Sequence, residues 1–137
     1  MPDSIRALFS VIGRLCLITI FLMSAVGKKI PDYAGTTAYM NANGVPYPQV
    51  SLGLAIVFLI LGSITVLVGC HARIGAVLLA VFLVLATYYF HPFWTFDDEK
   101  AKGEQMINFM KNLGLFGAML FIIANGSGAG SLDARKK

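Results

Sequence analysis

The sequence predicts an all-α protein: a four-helix transmembrane bundle with a short interfacial helix in its first connection, forming one domain over residues 1–137. Composition is the first reason. Hydrophobic residues make up 57% of the chain and charged residues 13%, far below the roughly 25% charged of an ordinary soluble domain. The second is length. Apolar runs at residues 8–27, 50–69, 74–90 and 107–124 are each close to the roughly 17–25 residues that cross a ~30 Å hydrocarbon layer at ~1.5 Å per residue.

The first run also imitates a secretory signal, with Arg6 before it and Ala25, Val26 and Gly27 resembling a cleavage site. Arg14 would interrupt the apolar core of such a signal and its removal would leave three spans, so we read the run as a span. The connection that follows, "KKIPDYAGTTAYMNANGVPYPQ", is long enough to hold structure of its own. Asp32 can cap a helix starting near Tyr33, "NANG" before Val45 and Pro46 is a stop signal, and the aromatic residues suggest an interfacial position.

Spans two and three are joined by the short turn "GCHAR" at residues 69–73, which makes them antiparallel neighbours. Span three ends in "TYYFHPFW", where Pro92 blocks the helix and Tyr88, Tyr89, Phe93 and Trp94 suit a membrane interface. The polar segment "TFDDEKAKGEQ" leads into span four. After Ala124, "NGSGAGS" predicts a helix stop and a flexible tail over residues 125–137. Small residues at helical spacing, Gly62 with Val66 and Gly69, Ala76 with Ala80, and Gly114 with Ala118, suggest close helix packing.

The net charge of +4 lies mostly at span ends and in the tail "DARKK". It accompanies no basic groove, which argues against nucleic acid. An even span number places both termini on one side with Arg6, Arg73, Arg135, Lys136 and Lys137. Because "GCHAR" is short and Arg14 reinforces the first helix's orientation, the expected arrangement has both termini cytoplasmic in the inner (plasma) membrane.

Arg14 is the first candidate site residue. The apolar piece after it, Leu15 to Val26, covers only about 18 Å at ~1.5 Å per residue, so Arg14 must lie within the span. All seven carboxylates fall in tails or connections, leaving lipid phosphate, helix carbonyls, water or a ligand as its partner. The same argument submerges Asn108, Lys111 and Asn112, which recur at spacings of three and four at the start of span four. They share a membrane side with Lys28, Lys29, His91 and Trp94. Such donors beside aromatic rings suit a carboxylate, a quinone head group or a lipid phosphate in an outer-leaflet pocket.

His71 and His91 stand about 30 Å apart along span three, too far to share a metal ion. Cys16 and Cys70 are offset too far for a disulfide and form no C-x-x-C, so both read as buried small hydrophobes. No nucleophilic triad, phosphate-binding loop or dinucleotide fingerprint occurs. The chain is therefore expected not to be catalytic on its own.

"GRLCLITIFLMSAVGK", "YAGTTAYMNANGVP", "GCHARIGAVLLAVFLVLATYYFHPFW" and "MINFMKNLGLFGAMLFIIANGSGAGSLD", in this order, resemble the DoxX family of small bacterial inner-membrane proteins. The resemblance implies a four-helix membrane bundle. It also implies a link to thiosulfate and quinone oxidoreduction, from which the family name comes, and recurring polar residues at Arg14, Lys28, His91, Trp94, Lys111 and Asn112. One departure is visible: many relatives carry a glutamate in span two where this chain has Leu59, which removes the natural proton carrier. The expected function is thus an accessory or ligand-binding subunit of a quinone-linked or sulfur and oxidative-stress redox system, with an oxidoreductase partner and quinone as the one candidate cofactor. A permease for a small solute or lipid, and a structural assembly subunit, are the alternatives.

Overall fold

The computed structural model describes residues 1–135; Lys136 and Lys137 of the basic tail lie outside the described residues. Four helices are long and apolar enough to cross a membrane. Helix α1 (Asp3–Ser24) continues through a π-helical turn (Ala25–Lys29) as one 27-residue rod. Helix α2 (Tyr33–Ala42) lies in the first connection, followed by α3 (Pro48–Val68) and α4 (Ala72–Phe90). A 3-10 turn (Phe93–Thr95) precedes α5 (Glu99–Asn125), and a last turn, α6 (Leu132–Arg135), closes the described chain.

The capping chemistry explains several of these boundaries. Asp32 accepts from the Gly35 amide at the start of α2, and Asp98 accepts from Ala101 at the start of α5, satisfying helix-end donors that have no partner within the helix. Helix α5 begins well before the predicted 107, so Glu99 and Glu104 ride on it rather than in a connection. Proline at the first turn starts α3, and Gly69 ends it in the left-handed conformation with φ 69°.

Helices α3 and α4 form the central hairpin; α1 packs chiefly on α3, and α5 on α4. All four meet in one apolar core that includes Ile18, Phe21, Leu59, Leu79, Leu83 and Met119. The short helix α2 covers one end. Its Met40 packs with Val45 and Leu52 against Tyr89 and Phe90, and Tyr39 stacks on Phe90 with centroids 5.2 Å apart.

The closest helix approach is at Gly62 and Gly75. A Cβ on Gly75 would overlap the Thr65 hydroxyl and stand 2.8 Å from the Gly62 carbonyl, and one on Gly62 would meet Leu79 at 2.7 Å. Gly62 was legible as a packing residue. Gly114 was also expected to pack closely, yet nothing lies within 4 Å of its missing side chain, because its side of α5 is exposed.

Residues 126–135, expected to form part of a flexible tail, fold back across the end of the bundle. Ser10 Oγ donates to the Ser127 carbonyl at 3.1 Å, and the Asp133 amide donates to the Gly69 carbonyl at 2.7 Å. The Asp133 carboxylate then accepts from the His71 and Ala72 amides at 3.1 and 3.2 Å. Helix α4 has no cap from its own flanking residue, His71, which sits at φ 53°. Its cap comes from the other end of the chain.

Two stability measurements follow. Gly75→Ala forces backbone and Thr65 apart and should cost about 1–3 kcal/mol, read as a lower midpoint in detergent-titration unfolding of the reconstituted protein, whereas Gly117→Ala, with open space around it, should stay within about 0.5 kcal/mol of the parent. Asp133→Ala removes the remote cap and should cost about 1 kcal/mol, with faster hydrogen exchange at residues 69–73.

Candidate functional site

The residues singled out by the sequence divide between the two ends of the bundle. Arg14 belongs to the end that carries the termini. Its α1 position faces the bundle, and only 5% of its surface is exposed. The side chain leans toward the helix N-terminus, as helical side chains do. Nε donates to the Ser10 carbonyl at 3.3 Å and Nη2 to the Gly130 carbonyl at 2.9 Å. Of the partners left open by the sequence, helix and tail carbonyls are therefore those it uses. Gly69 leaves room for it: a Cβ there would stand 2.5 Å from Nη1.

At the opposite end, α4 and α5 share a polar seam. Asn112 Nδ2 donates to Thr87 Oγ1 at 2.9 Å. One turn further along α4, His91 Nδ1 lies 2.7 Å from Gln105 Oε1. On α5, Asn108 falls between Gln105 and Asn112 at spacings of three and four, on the same side of the helix, and is half-buried like them. Phe93, Trp94 and Phe109 close the top of the seam in edge-to-face contacts, with centroids 5.3 to 6.2 Å apart.

Lys28 and Lys111 do not join this group. Both are exposed, and the shared face read from the spacing of Asn108, Lys111 and Asn112 holds for the two asparagines. Lys29 is the lysine that turns inward: its Nζ donates to Ser24 Oγ and lies 5.5 Å from the centroid of the Phe82 ring. The π-helical turn is the cause. Ile30 donates to the Ala25 carbonyl five residues back, a spacing that also aligns Ser24 with Lys29 and that ordinary helical counting would miss. Gln105 was missed as well; it sits in a strongly polar stretch with nothing to distinguish it from a solvated neighbour.

An open apolar groove of about 250 Å³ lies between α4 and α5 on the outer flank of the bundle, lined by residues including Val81, Val84, Leu85 and Phe116. Phe116 is one helical turn from Asn112, and Val84 is three residues from Thr87, so the polar rung lies within a turn of the groove's lining. A permease would need a polar path through the middle of the bundle, where Thr19 and Ser63 are the polar residues of spans one and two nearest the centre. Thr19 faces outward with its hydroxyl on the Leu15 carbonyl, and Ser63 is enclosed in the core. The thiols also differ from expectation: Cys16 is exposed on the outer face and Cys70 is half-buried, with Sγ 3.3 Å from His71 Nδ1.

A family model described as DoxX matches residues 9–92. Inner membrane protein YphA of Escherichia coli is 32% identical over 130 residues, covering 95% of this chain and 91% of that protein. Inner membrane protein YqjF of the same bacterium is 34% identical over 122 residues, covering 89% and 87%. The Surfeit locus protein 4 homolog of Schizosaccharomyces pombe is 26% identical over 152 aligned positions, covering 93% of this chain and 50% of that protein. No solved structure matches. With the family model spanning more than half of the chain, and two inner-membrane relatives aligned over nearly all of it, the chain belongs to the DoxX family and is a multi-pass inner-membrane protein.

Proposed function

We propose that the protein is a non-catalytic accessory subunit of a quinone-linked redox system, and that it holds a quinone in the α4–α5 seam. One observation carries the reading: the Thr87–Asn112 rung lies within one helical turn of Val84 and Phe116, which line the apolar groove. A quinone needs hydrogen-bond donors for its ring carbonyls and an apolar slot for its ring and the start of its tail. Asn112 has two amide hydrogens and spends one on Thr87. The groove is smaller than the roughly 300 Å³ and upward of enclosed ligand pockets, so the far part of an isoprenoid tail would run on into lipid.

The arrangement supports binding rather than turnover. The seam offers amides, an imidazole and a threonine hydroxyl, with no thiol pair or bound acid beside the groove among the described residues. With both termini in the cytoplasm, the seam opens in the outer leaflet. Arg6, Arg14, Arg73 and Arg135 lie toward the terminal end of the bundle and Lys28, Lys29, Lys100, Lys102 and Lys111 toward the other, so the count of positive residues barely discriminates; the orientation rests on the short α3–α4 turn with its Arg73 and on Arg14 inside the first span. Helix α2 then lies at the outer interface, with Tyr33 and Tyr39 exposed and Thr36 and Met40 turned inward. A redox partner would meet the bundle at this face, beside Trp94.

Trp94 is the sole tryptophan and packs on Phe109, one turn from Asn112. Its emission should therefore be quenched saturably by a short-chain quinone added to the reconstituted protein. Asn112→Ala should weaken that binding about five- to tenfold, the equivalent of one neutral hydrogen bond of about 1 kcal/mol, and His91→Ala should weaken it similarly. Lys111→Ala, whose side chain points away, should leave it unchanged. Quenching that is linear in quinone, or indifferent to Asn112 and His91, would refute the reading.

A further inference from the structure

The terminal end of the bundle holds a second arrangement that the quinone reading does not use. Arg14 is only 5% exposed, and its Nη1 has no hydrogen-bond partner among the described residues. A buried cation whose described bonds run only to neutral carbonyls is costly. Ser127 repeats the pattern: it is 6% exposed, and its hydroxyl is buried without a partner. The two groups converge. A Cβ placed on Gly69 would stand 2.5 Å from Arg14 Nη1 and 2.9 Å from Ser127 Oγ, so both atoms surround one point at the α3–α4 turn.

Ser127 also lines a cleft of about 650 Å³ bounded by the start of α1, the first turn of α4 and the folded-back segment. Arg6, His71 and Arg73 stand on its walls. Arg73 Nη2 reaches the Ala124 carbonyl at 3.3 Å, which fixes one guanidinium at the cleft edge while leaving its other nitrogen donors for a ligand. Asp133 also borders the cleft, but its carboxylate oxygens accept from the His71 and Ala72 amides at the start of α4. The balance at the walls is cationic. Ile5, Leu8 and Phe9 on the exposed side of α1 flank this end with apolar surface, which carries the cleft to the level where hydrocarbon gives way to head groups.

We propose that this cleft binds a phosphate-class anion, either the head group of an anionic phospholipid or free phosphate. Arg6 and Arg73 hold it from the walls, and Arg14, with the buried Ser127 hydroxyl beside its Nη1, is the fixed charge behind the floor. Arginine suits the task because its planar fork matches phosphate oxygens in pairs. The size is adequate, since the cleft far exceeds one phosphate group and leaves room for a glycerol unit. The site is at the opposite end of the bundle from the α4–α5 seam and stands or falls independently of it.

Native mass spectrometry of the full chain in mild detergent, titrated with phosphatidylglycerol or phosphatidylcholine, tests this. One phosphatidylglycerol should be retained at least about tenfold more tightly than phosphatidylcholine, and Arg6→Gln/Arg73→Gln should remove that preference. Arg14 is left intact because its loss endangers the fold, and unchanged Trp94 emission will show that each variant retains its structure. Displacement of the lipid by millimolar inorganic phosphate assigns the site to free phosphate, and lipid retained against it assigns the site to the head group. Equal retention of both lipids with no phosphate binding, or full anion affinity in the double variant, overturns the proposal.

Discussion

A guanidinium has been drawn out of water at one end of this bundle, and its described hydrogen bonds all end on backbone carbonyls. Much of that end follows from this one placement. Helix α1 can turn only the Ser10 carbonyl toward its own Arg14, so further acceptors must come from another segment. The stretch after α5 supplies one from Gly130. To reach it, the chain must lie against α1, and a Cβ at position 128 would be 2.6 Å from Ser10 Oγ while one at 130 would press on Val11 and Ala7. Glycine at both positions, each at positive φ, is what allows the approach. Having crossed to the α3–α4 turn, the same segment delivers Asp133 to the uncapped start of α4.

A bilayer makes this arrangement more binding than water would. Irregular backbone near membrane depth is tolerated where protein buries it and satisfies its polar groups. The segment at 126–135 meets that condition in large part: its carbonyls accept from Ser10 and Arg14, and Ser131 Oγ donates to the Gly128 carbonyl and accepts from the Ala134 amide, while the Ser127 hydroxyl is left over. Arg14 is thus both the charge that needs covering and the donor that holds the cover in place. Two halves of one requirement meet in a single residue.

Much of this fold was legible because hydrocarbon thickness is a length rule, and length is what a sequence displays most openly. The four spans, the caps at Asp32 and the stop after Ala42 could be read from residues close in the chain. The misreadings share a cause. Gly-Ser-rich sequence after Ala124 looks flexible until a remote arginine gives it a partner 116 residues away. Gly75 and Gly114 look alike in sequence and differ only in what faces them. Lys29, rather than Lys28, turns inward because five backbone positions adopt a wider helix, a local choice that apolar periodicity does not encode. Of the site, the pairs on one face of α5 were readable from spacing, while Gln105 and Thr87 acquire meaning only when α4 lies alongside.

The two ends are separated by a core that carries little polarity, and this bears on what the bundle can do. Leu59, the leucine that stands where the family resemblance leads us to expect a glutamate, is fully buried among Phe21, Leu79 and Met119 in the central cluster. An acid there would sit about ten residues, or roughly 15 Å, along α3 from the turn that faces Arg14, too far for direct pairing. Leucine therefore leaves the guanidinium no worse served, and it leaves the middle dry. Proton or ion traffic would need a chain of groups across that middle, and Ser63 is the one buried polar side chain within the core span of α3. Polar chemistry is consequently local to each end: buried arginine and backbone acceptors at the terminal end, and at the other an α4–α5 seam of neutral amides and aromatic rings, with the inward Lys29 held apart on Ser24 and Phe82. Neutral donors beside an apolar groove can release and reform their bonds around an uncharged ligand without stranding a charge in hydrocarbon, which is why the proposed quinone is assigned to the α4–α5 seam and not to the arginine end.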